Sequence, residues 1–465
     1  MHTCARVYLL HVMCVPTHIY AYLCIPGQAA TLNLGMAERF KEKNIFLVAL
    51  AKAKVYKVHG MCRVINGVDL NGVQHDEPNV GADMQELARG RWAEIPDDVA
   101  GDSRWIRVVG YTNIFSADYL GAQAMLPMVE SPSAHVFCRG CDYDSRSDMA
   151  GRPFSFLRGG QASGQPAAFQ ERDWSTLKAE LERLRAGVSV TELKKTYHDL
   201  GLNKLYFALD PEYIPDIIPT TIAPQDVLHL FPDGLLRSEL AWLMYIFAKL
   251  GLDFKKLDWR IRQYKGLPKD VRIPSFPDKL KKGVAGGRPE SKSTVRMTGS
   301  QCMHFSLHRC ATPRPVPASM CTPTPCALFS MVCSFQILNP LLTDEMRSNP
   351  AWLSWLKLVE IFTLVIQHEL HVDDIETIDD LVLEHSKLFD NVPEYNGLKR
   401  PKHHFLSHLA LDIWRFGPPR GYWCFGFEAF NRVIKRGAQR SNWKNTTVSV
   451  LKYWSARSAR SLSHL

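Results

Sequence analysis

The chain has 465 residues, 46% of them hydrophobic, with 56 Lys/Arg against 47 Asp/Glu and a net charge of +9. Such a composition excludes a disordered or collagen-like chain, and it suffices for one large core or two to three ordinary ones. Charged residues, or histidine, proline and polar residues where charges are absent, interrupt every apolar stretch well short of the roughly 18 residues a membrane span needs, so no membrane partner is expected.

Residues 1–35 carry one charge, Arg6, and cysteines at Cys4, Cys14 and Cys24. Arg6 ahead of VYLLHVMCV loosely fits a secretory signal, but His11, Pro16 and His18 interrupt it, and the segment reads as an atypical leader, disordered or artefactual. Eight of the 12 cysteines fall in two biased segments, Met1 to Cys24 and Cys302 to Cys333. That is no evenly spaced disulfide framework, and it points to a reducing, intracellular compartment.

Residues 36–60 read as a helix entering a mixed apolar segment, and Trp105 to Gly110 as a short buried strand ended by glycine. Leu177, Leu181 and Leu184 recur at helical spacing between Asp173 and Gly187, and Ser189 with Glu192 forms a capping box for a helix through Leu200. Longer helical patterns cover Leu235 to Leu250 and Trp352 to His371. The second sets Trp352, Trp355, Leu356, Val359, Phe362, Ile366 and Leu370 on one side, as a core stripe. An acidic amphipathic helix follows from Asp373 to Phe389. Lys281 to Thr294 is a Gly-rich, charged linker without a phosphate-loop ending, and Arg309 to Cys333 is a Pro-, Thr- and Cys-rich insertion without periodicity.

From Lys399 to Leu465 there are 13 Lys/Arg and two acids, Asp412 and Glu428, a local charge of +11 in a chain of +9. Aromatics from Phe405 through Trp414, Tyr422, Trp423 and Phe430 to Trp443 are interleaved with these cations, as a surface that pairs with phosphates and stacks on bases requires. A solvated basic helical region is the alternative. The expected DNA contacts are Lys399, Arg400, Lys402, His403, His404, Arg415, Arg420, Arg432, Lys435, Arg436, Arg440 and Lys444.

Cys138 and Cys141 form a Cys-x-x-Cys, whose spacing lets two thiolates face one ion; it is either a zinc half-site completed by distant residues or a buried pair. Asp226 and His229 stand one helical turn apart, which by residue type alone fits a capped helix start with a core histidine. His404 and His408 are also one turn apart, but no glutamate accompanies them in the hydrolytic zinc arrangement, so phosphate contact or partial burial is expected of them.

In order, these pieces resemble transposase-like proteins of the eukaryotic CACTA (En/Spm) type, with the Plavaka and KDZ groups among their relatives. The resemblance rests on VVGYTNIFSADYLGAQAM followed by FCRGC, on Pro224, Asp226, Leu228, His229, Asp233 and Gly234, and on MTGSQCMHF at Met297 to Phe305. Its most specific part is the block holding Arg400 to His408, Phe416 to Pro419, Trp423, Phe427 to Ala429, Lys435, Arg436 and Asn442 to Asn445. It implies an α/β fold with an RNase H-like mixed-sheet core, a large helical insertion and a helical basic C-terminal region. In such a core, three carboxylates hold two divalent ions for strand transfer.

The resemblance also implies a structural zinc site that shares Cys138, Cys141, Asp226 and His229, with Mg²⁺ only if the chain is catalytic. Tyr111 stands where the family strand has an aspartate, and a phenol does not hold Mg²⁺ at neutral pH. Asp118 lies seven residues on, Asp233 replaces the family glutamate before Gly234, and Glu239 and Glu428 are both candidates for the third carboxylate. The expected segments are 1–35 leader, 36–250 degenerate core, 251–296 helical segment and linker, 297–398 helical domain with the insertion at 309–333, and 399–465 basic region. The expected protein is nuclear, DNA-bound, a candidate homo-oligomer and without strand cleavage. An active metal-dependent transposase or nuclease and a protein-interaction scaffold are the alternatives.

Overall fold

The computed structural model describes residues 4–12, 24–31, 45–52, 62–76, 79–96, 103–147, 152–158, 169–263, 336–425, 439 and 446–462. The chain divides into two compact units: Met1–Ala150, Phe169–Asp226 and Gly421–Leu465 make the first, and Gly151–Ala168 with Val227–Arg420 the second. Both draw on separated stretches of chain, unlike the linear segments that composition suggests.

The first unit contains a five-stranded mixed sheet, β1 (Cys4–Val12), β2 (Cys24–Thr31), β3 (Ile45–Lys52), β4 (Arg91–Pro96) and β5 (Ser103–Ser116), in the order β3-β2-β1-β5-β4. β1 and β5 are parallel, and the other neighbours are antiparallel. β1 and β2 therefore lie within residues 1–35. Residues Ile45–Lys52 form a strand where a helix entry is expected, because IFLVAL is rich in β-branched and aromatic side chains. Gly110 does not end its strand either: it pairs with Val7 inside the parallel ladder, and β5 continues to Ser116. Tyr111 is the register partner of Tyr8 on β1.

Helices α1 (Cys62–Asn66), α2 (Val80–Arg89), α3 (Tyr119–Met125), α4 (Trp174–Arg185) and α5 (Val190–Leu200) belong to the same unit. One core cluster joins Phe115, Met125, Leu126, Met128, Leu177, Leu181, Leu202 and Phe207. The leucine stripe is buried as its spacing requires, and each such side chain contributes about 1.5–3 kcal/mol. Asp173 caps α4 by accepting the amides of Ser175 and Thr176. Only half of the capping box at α5 forms: Ser189 accepts the Glu192 amide, while the Glu192 carboxylate pairs with Arg183 at 2.6 Å. Gly201 ends α5 in the left-handed conformation.

The second unit is helical, with α6 (Val227–Leu230), a kinked turn (Phe231–Leu235) whose Asp233 and Gly234 leave helical dihedrals, α7 (Leu236–Lys249), α8 (Phe254–Gln263), α9 (Asp344–Ser348), α10 (Pro350–Val365), α11 (Val372–Asp390), α12 (Pro401–Leu406) and α13 (Leu409–Phe416). Asn349 caps α10, and Pro350 occupies its first position, where a missing N–H costs nothing. Trp352, Trp355, Val359 and Phe362 are buried, but the helix stops at Val365 rather than running to His371, because Gln367, His368 and Glu369 turn out into solvent. α11 is less ordinary than an acidic surface helix: Asp379 and His385 are buried in it, and Asp379 accepts the Ser155 hydroxyl at 2.5 Å. Among the described residues, no helix is long and apolar enough to cross a membrane. The linker 281–294, the segment Met297 to Phe305 and the insertion 309–333 lie outside the described residues.

Candidate metal centre

Cys138 and Cys141 sit on a loop after α3 that is fixed mainly through its backbone. The Phe137 carbonyl accepts from Gln123 Nε2 at 2.9 Å and from Tyr119 Oη at 3.0 Å. Beyond it, Arg172 Nε donates to the Cys141 carbonyl at 2.8 Å, and the Arg172 amide donates to the Gly140 carbonyl at 3.0 Å. Between the cysteines, Arg139 reaches the carbonyls of Ala223 and Pro224 at 2.8 and 3.0 Å. Both thiols are almost wholly buried, at 1% and 0% exposure. Burial, followed by the neighbouring Cys138, pushes the Cys141 thiol well above its ordinary range, so without a cation Cys141 stays protonated. This disfavours a redox role, which needs an accessible thiolate. Arg172, half-buried, borders the same loop; desolvation lowers its guanidinium, and negative charge on Cys138 and Cys141 acts in the opposite direction.

The two imidazoles come from one turn of chain: His404 is on α12, and His408 is the residue that opens α13. Both are buried, at 8% and 4% exposure, and their Nε2 atoms are 3.2 Å apart. Phe156 stacks on His408 at 4.1 Å between ring centroids and Phe154 lies 5.8 Å from His404, so each imidazole has an aromatic neighbour. With Zn–N near 2.0–2.1 Å, two imidazoles on a tetrahedral ion stand about 3.3 Å apart, close to the separation found here.

The ligand atoms of Cys138, Cys141, His404 and His408 all lie within 4.8 Å of one another, and all four residues are buried. This Cys₂His₂-like cluster could hold a metal such as zinc. Two thiolates cancel the charge of a divalent ion, and the soft sulfur and imidazole donors suit Zn²⁺ better than Mg²⁺. The set differs from the one the family resemblance implies. Asp226 and His229 form a separate group with Cys424, again within 4.8 Å, and Asp226 accepts the Cys424 amide at 2.8 Å. Of the two outcomes expected for His404 and His408, phosphate contact or partial burial, burial is found; their i, i+4 spacing and the unfinished Cys-x-x-Cys carried the signal for a shared site. Nothing in the pattern around Cys424 pointed to Asp226.

The acids expected at a catalytic centre have separate partners. Asp118 caps α3, accepting the Gly121 amide at 2.6 Å. Asp233 pairs with Arg237 at 3.3 Å on the kinked turn, half exposed. Glu239 is buried on α7, with His385 Nε2 at 3.1 Å from both of its oxygens and His403 Nε2 at 3.3 Å. Burial alone would raise this carboxyl, but the charge and hydrogen bonding of His385 and His403 outweigh it and hold it down at about 2. Burial pushes the His403 imidazole below its usual range. Among the described residues, neither metal-capable group contains Asp118, Asp233 or Glu239. Glu428 lies outside the described residues, and of Tyr111 only the backbone is described.

Several cations expected at DNA are engaged internally. Lys399 pairs with Asp390 at 2.7 Å. Arg400 donates to Ser238 Oγ at 2.9 Å, Lys402 to the carbonyls of His229 and Asp233 at 2.5 and 2.9 Å, and Arg420 to the Ile366 carbonyl at 2.7 Å. Arg415 is exposed on α13, beside the exposed Trp414. Arg432, Lys435, Arg436, Arg440 and Lys444 lie outside the described residues. No protein-family model matches the chain, and no curated protein matches it.

Proposed function

We propose that this chain is a transposon-derived, DNA-binding nuclear protein on a transposase-like scaffold, carrying a structural zinc ion and lacking strand cleavage. The observation that carries this reading is a contrast between ligand sets: two thiols and two imidazoles converge, whereas Asp118, Asp233 and Glu239 are each engaged separately. A bound zinc ion would be held by Cys138, Cys141, His404 and His408 as a closed four-ligand site, which stabilises structure and leaves no open position for substrate. The mixed sheet of the first unit is the kind of core that an RNase H-like scaffold requires. Tyr111, opposite Tyr8 in the parallel pair, offers no carboxylate where the family strand has one.

DNA is the polyanion favoured by the +11 charge of residues 399–465. Four of the 13 cations there, Lys399, Arg400, Lys402 and Arg420, have partners within the fold, which leaves at most nine for phosphates. The affinity for duplex DNA should therefore fall with salt at a log–log slope no steeper than about −8. Salt titration of the full chain on duplex DNA, with a parallel Mg²⁺ incubation, tests this. Binding that ignores salt refutes phosphate contact, and Mg²⁺-dependent strand cleavage refutes the loss of catalysis.

A further inference from the structure

The basic run from Arg400 to His403 docks closely on α7 and the turn before it. Arg400 Nη1 donates to Ser238 Oγ at 2.9 Å, and its guanidinium lies 5.0 Å from the centre of the Trp242 ring. The same indole is nearly parallel to the His403 ring, 13° between planes with centroids 6.2 Å apart. His403 turns Nδ1 to the Arg400 amide at 2.9 Å, an acceptor role that places the ring proton on Nε2, 3.3 Å from Glu239 Oε1. Glu239 is itself steadied by His385 from α11. Lys402 crosses Gly234 to reach the carbonyls of His229 and Asp233; a Cβ at Gly234 would stand 2.6 Å from the His229 carbonyl oxygen, a backbone atom that cannot swing aside, and 2.8 Å from Lys402 Cδ.

A six-residue helix such as α12 cannot hold its own orientation, because helices this short are unstable without packing. Its direction is imposed by these contacts, and His404 follows His403 directly, with His408 one turn on. We propose that Arg400, Lys402, His403 and Glu239 are positioning residues that dock α12 and thereby set the His404–His408 imidazole pair for metal, rather than contacts to DNA or a catalytic carboxylate. This rests on the metal reading above. It gives the buried Glu239–His385–His403 group a function, and it explains why so basic a run is so fully engaged within the fold.

The test uses the full-length protein and two conservative variants. Glu239→Gln keeps the shape of the side chain but removes the carboxylate charge that faces His385 at 3.1 Å and His403 at 3.3 Å. Arg400→Lys keeps the charge a phosphate would see but loses the guanidinium's stack and fork. Zinc affinity is measured by competition with a chelator, and ligand geometry by the visible absorption of the Co²⁺-substituted protein. In both variants zinc should bind about 10–100-fold more weakly, the range seen when groups that orient metal ligands are removed. The Co²⁺ band should shift in both, while the DNA affinity of Arg400→Lys at fixed salt stays unchanged. One tightly held zinc in the wild type, with unchanged zinc affinity and Co²⁺ spectrum in both variants, overturns the positioning role and leaves the metal reading standing. A wild type that takes up no zinc removes both.

Discussion

Gly201 ties the fold of the first unit to its cysteine loop, and Gly201→Ala should show how closely. The residue has φ +64°, and a Cβ there would stand 2.0 Å from the Val136 carbonyl oxygen, where real Cβ atoms essentially never come within 3.0 Å. Two costs follow. The left-handed backbone disfavours an L side chain by about 1–2 kcal/mol. The clash adds about 1–3 kcal/mol, because Val136 must retreat by about 1 Å on a strand of chain pinned one residue later through the Phe137 carbonyl.

Gly187→Ala is the control, since Gly187 also has positive φ, +103°, but nothing lies within 4 Å of its Cβ position. It should lose only the backbone cost. Gly201→Asn separates the two contributions: asparagine tolerates the left-handed region, yet it carries the same Cβ into the same carbonyl. Urea unfolding should rank Gly201→Ala lowest, Gly201→Asn close to it and Gly187→Ala nearest the wild type. Because Val136 leads into Cys138, zinc affinity should also fall in both Gly201 variants. Equal losses at Gly187 and Gly201, or full stability in Gly201→Asn, would refute the steric reasoning.

Two further outcomes are expected. Glu239 is lowered from an ordinary 4.5 to about 2, so its stabilising contribution is complete above 4.5 and is lost as the pH falls through about 2. Acid should therefore cost the metal-free wild type about 3 kcal/mol more than it costs Glu239→Gln, as read from urea midpoints between pH 7 and 2; parallel curves would contradict this. At DNA, Lys452→Ala, on an exposed position of the basic C-terminal region, should make the salt slope about one unit shallower, whereas Lys402→Ala should leave the slope as it is, because its ammonium is committed to two carbonyls; the reverse result would return Lys402 to the phosphates.

Local periodicity made part of this fold legible. The stripe of Leu177, Leu181 and Leu184 is buried where its spacing puts it, and Asp173 and Ser189 cap the helices they precede, because those features depend on a few neighbouring residues. Strand limits were less legible: a glycine reads as a stop, but Gly110 sits inside the ladder because β1 pairs with it. The candidate site was half legible. Cys-x-x-Cys announced two ligands, while the His404–His408 pair that completes the candidate cluster lies far along the chain. Charge was the least reliable guide. Arg400, Lys402 and His403 look like a phosphate-binding run in one dimension, yet hydroxyl, carbonyl and carboxylate partners supplied by α6, α7 and the turn between them hold all three. Sequence gives the sign of a side chain and leaves its partner to the fold.

X-ray absorption at the zinc edge of the purified full chain tests the central claim most directly. It should show one zinc per chain with two sulfur ligands at about 2.3 Å and two nitrogen ligands at about 2.0–2.1 Å. Loss of one sulfur in Cys141→Ser, and of one nitrogen in His408→Ala, would assign them. A protein without zinc, or one whose zinc sees only oxygen and nitrogen, would contradict the Cys138–Cys141–His404–His408 centre.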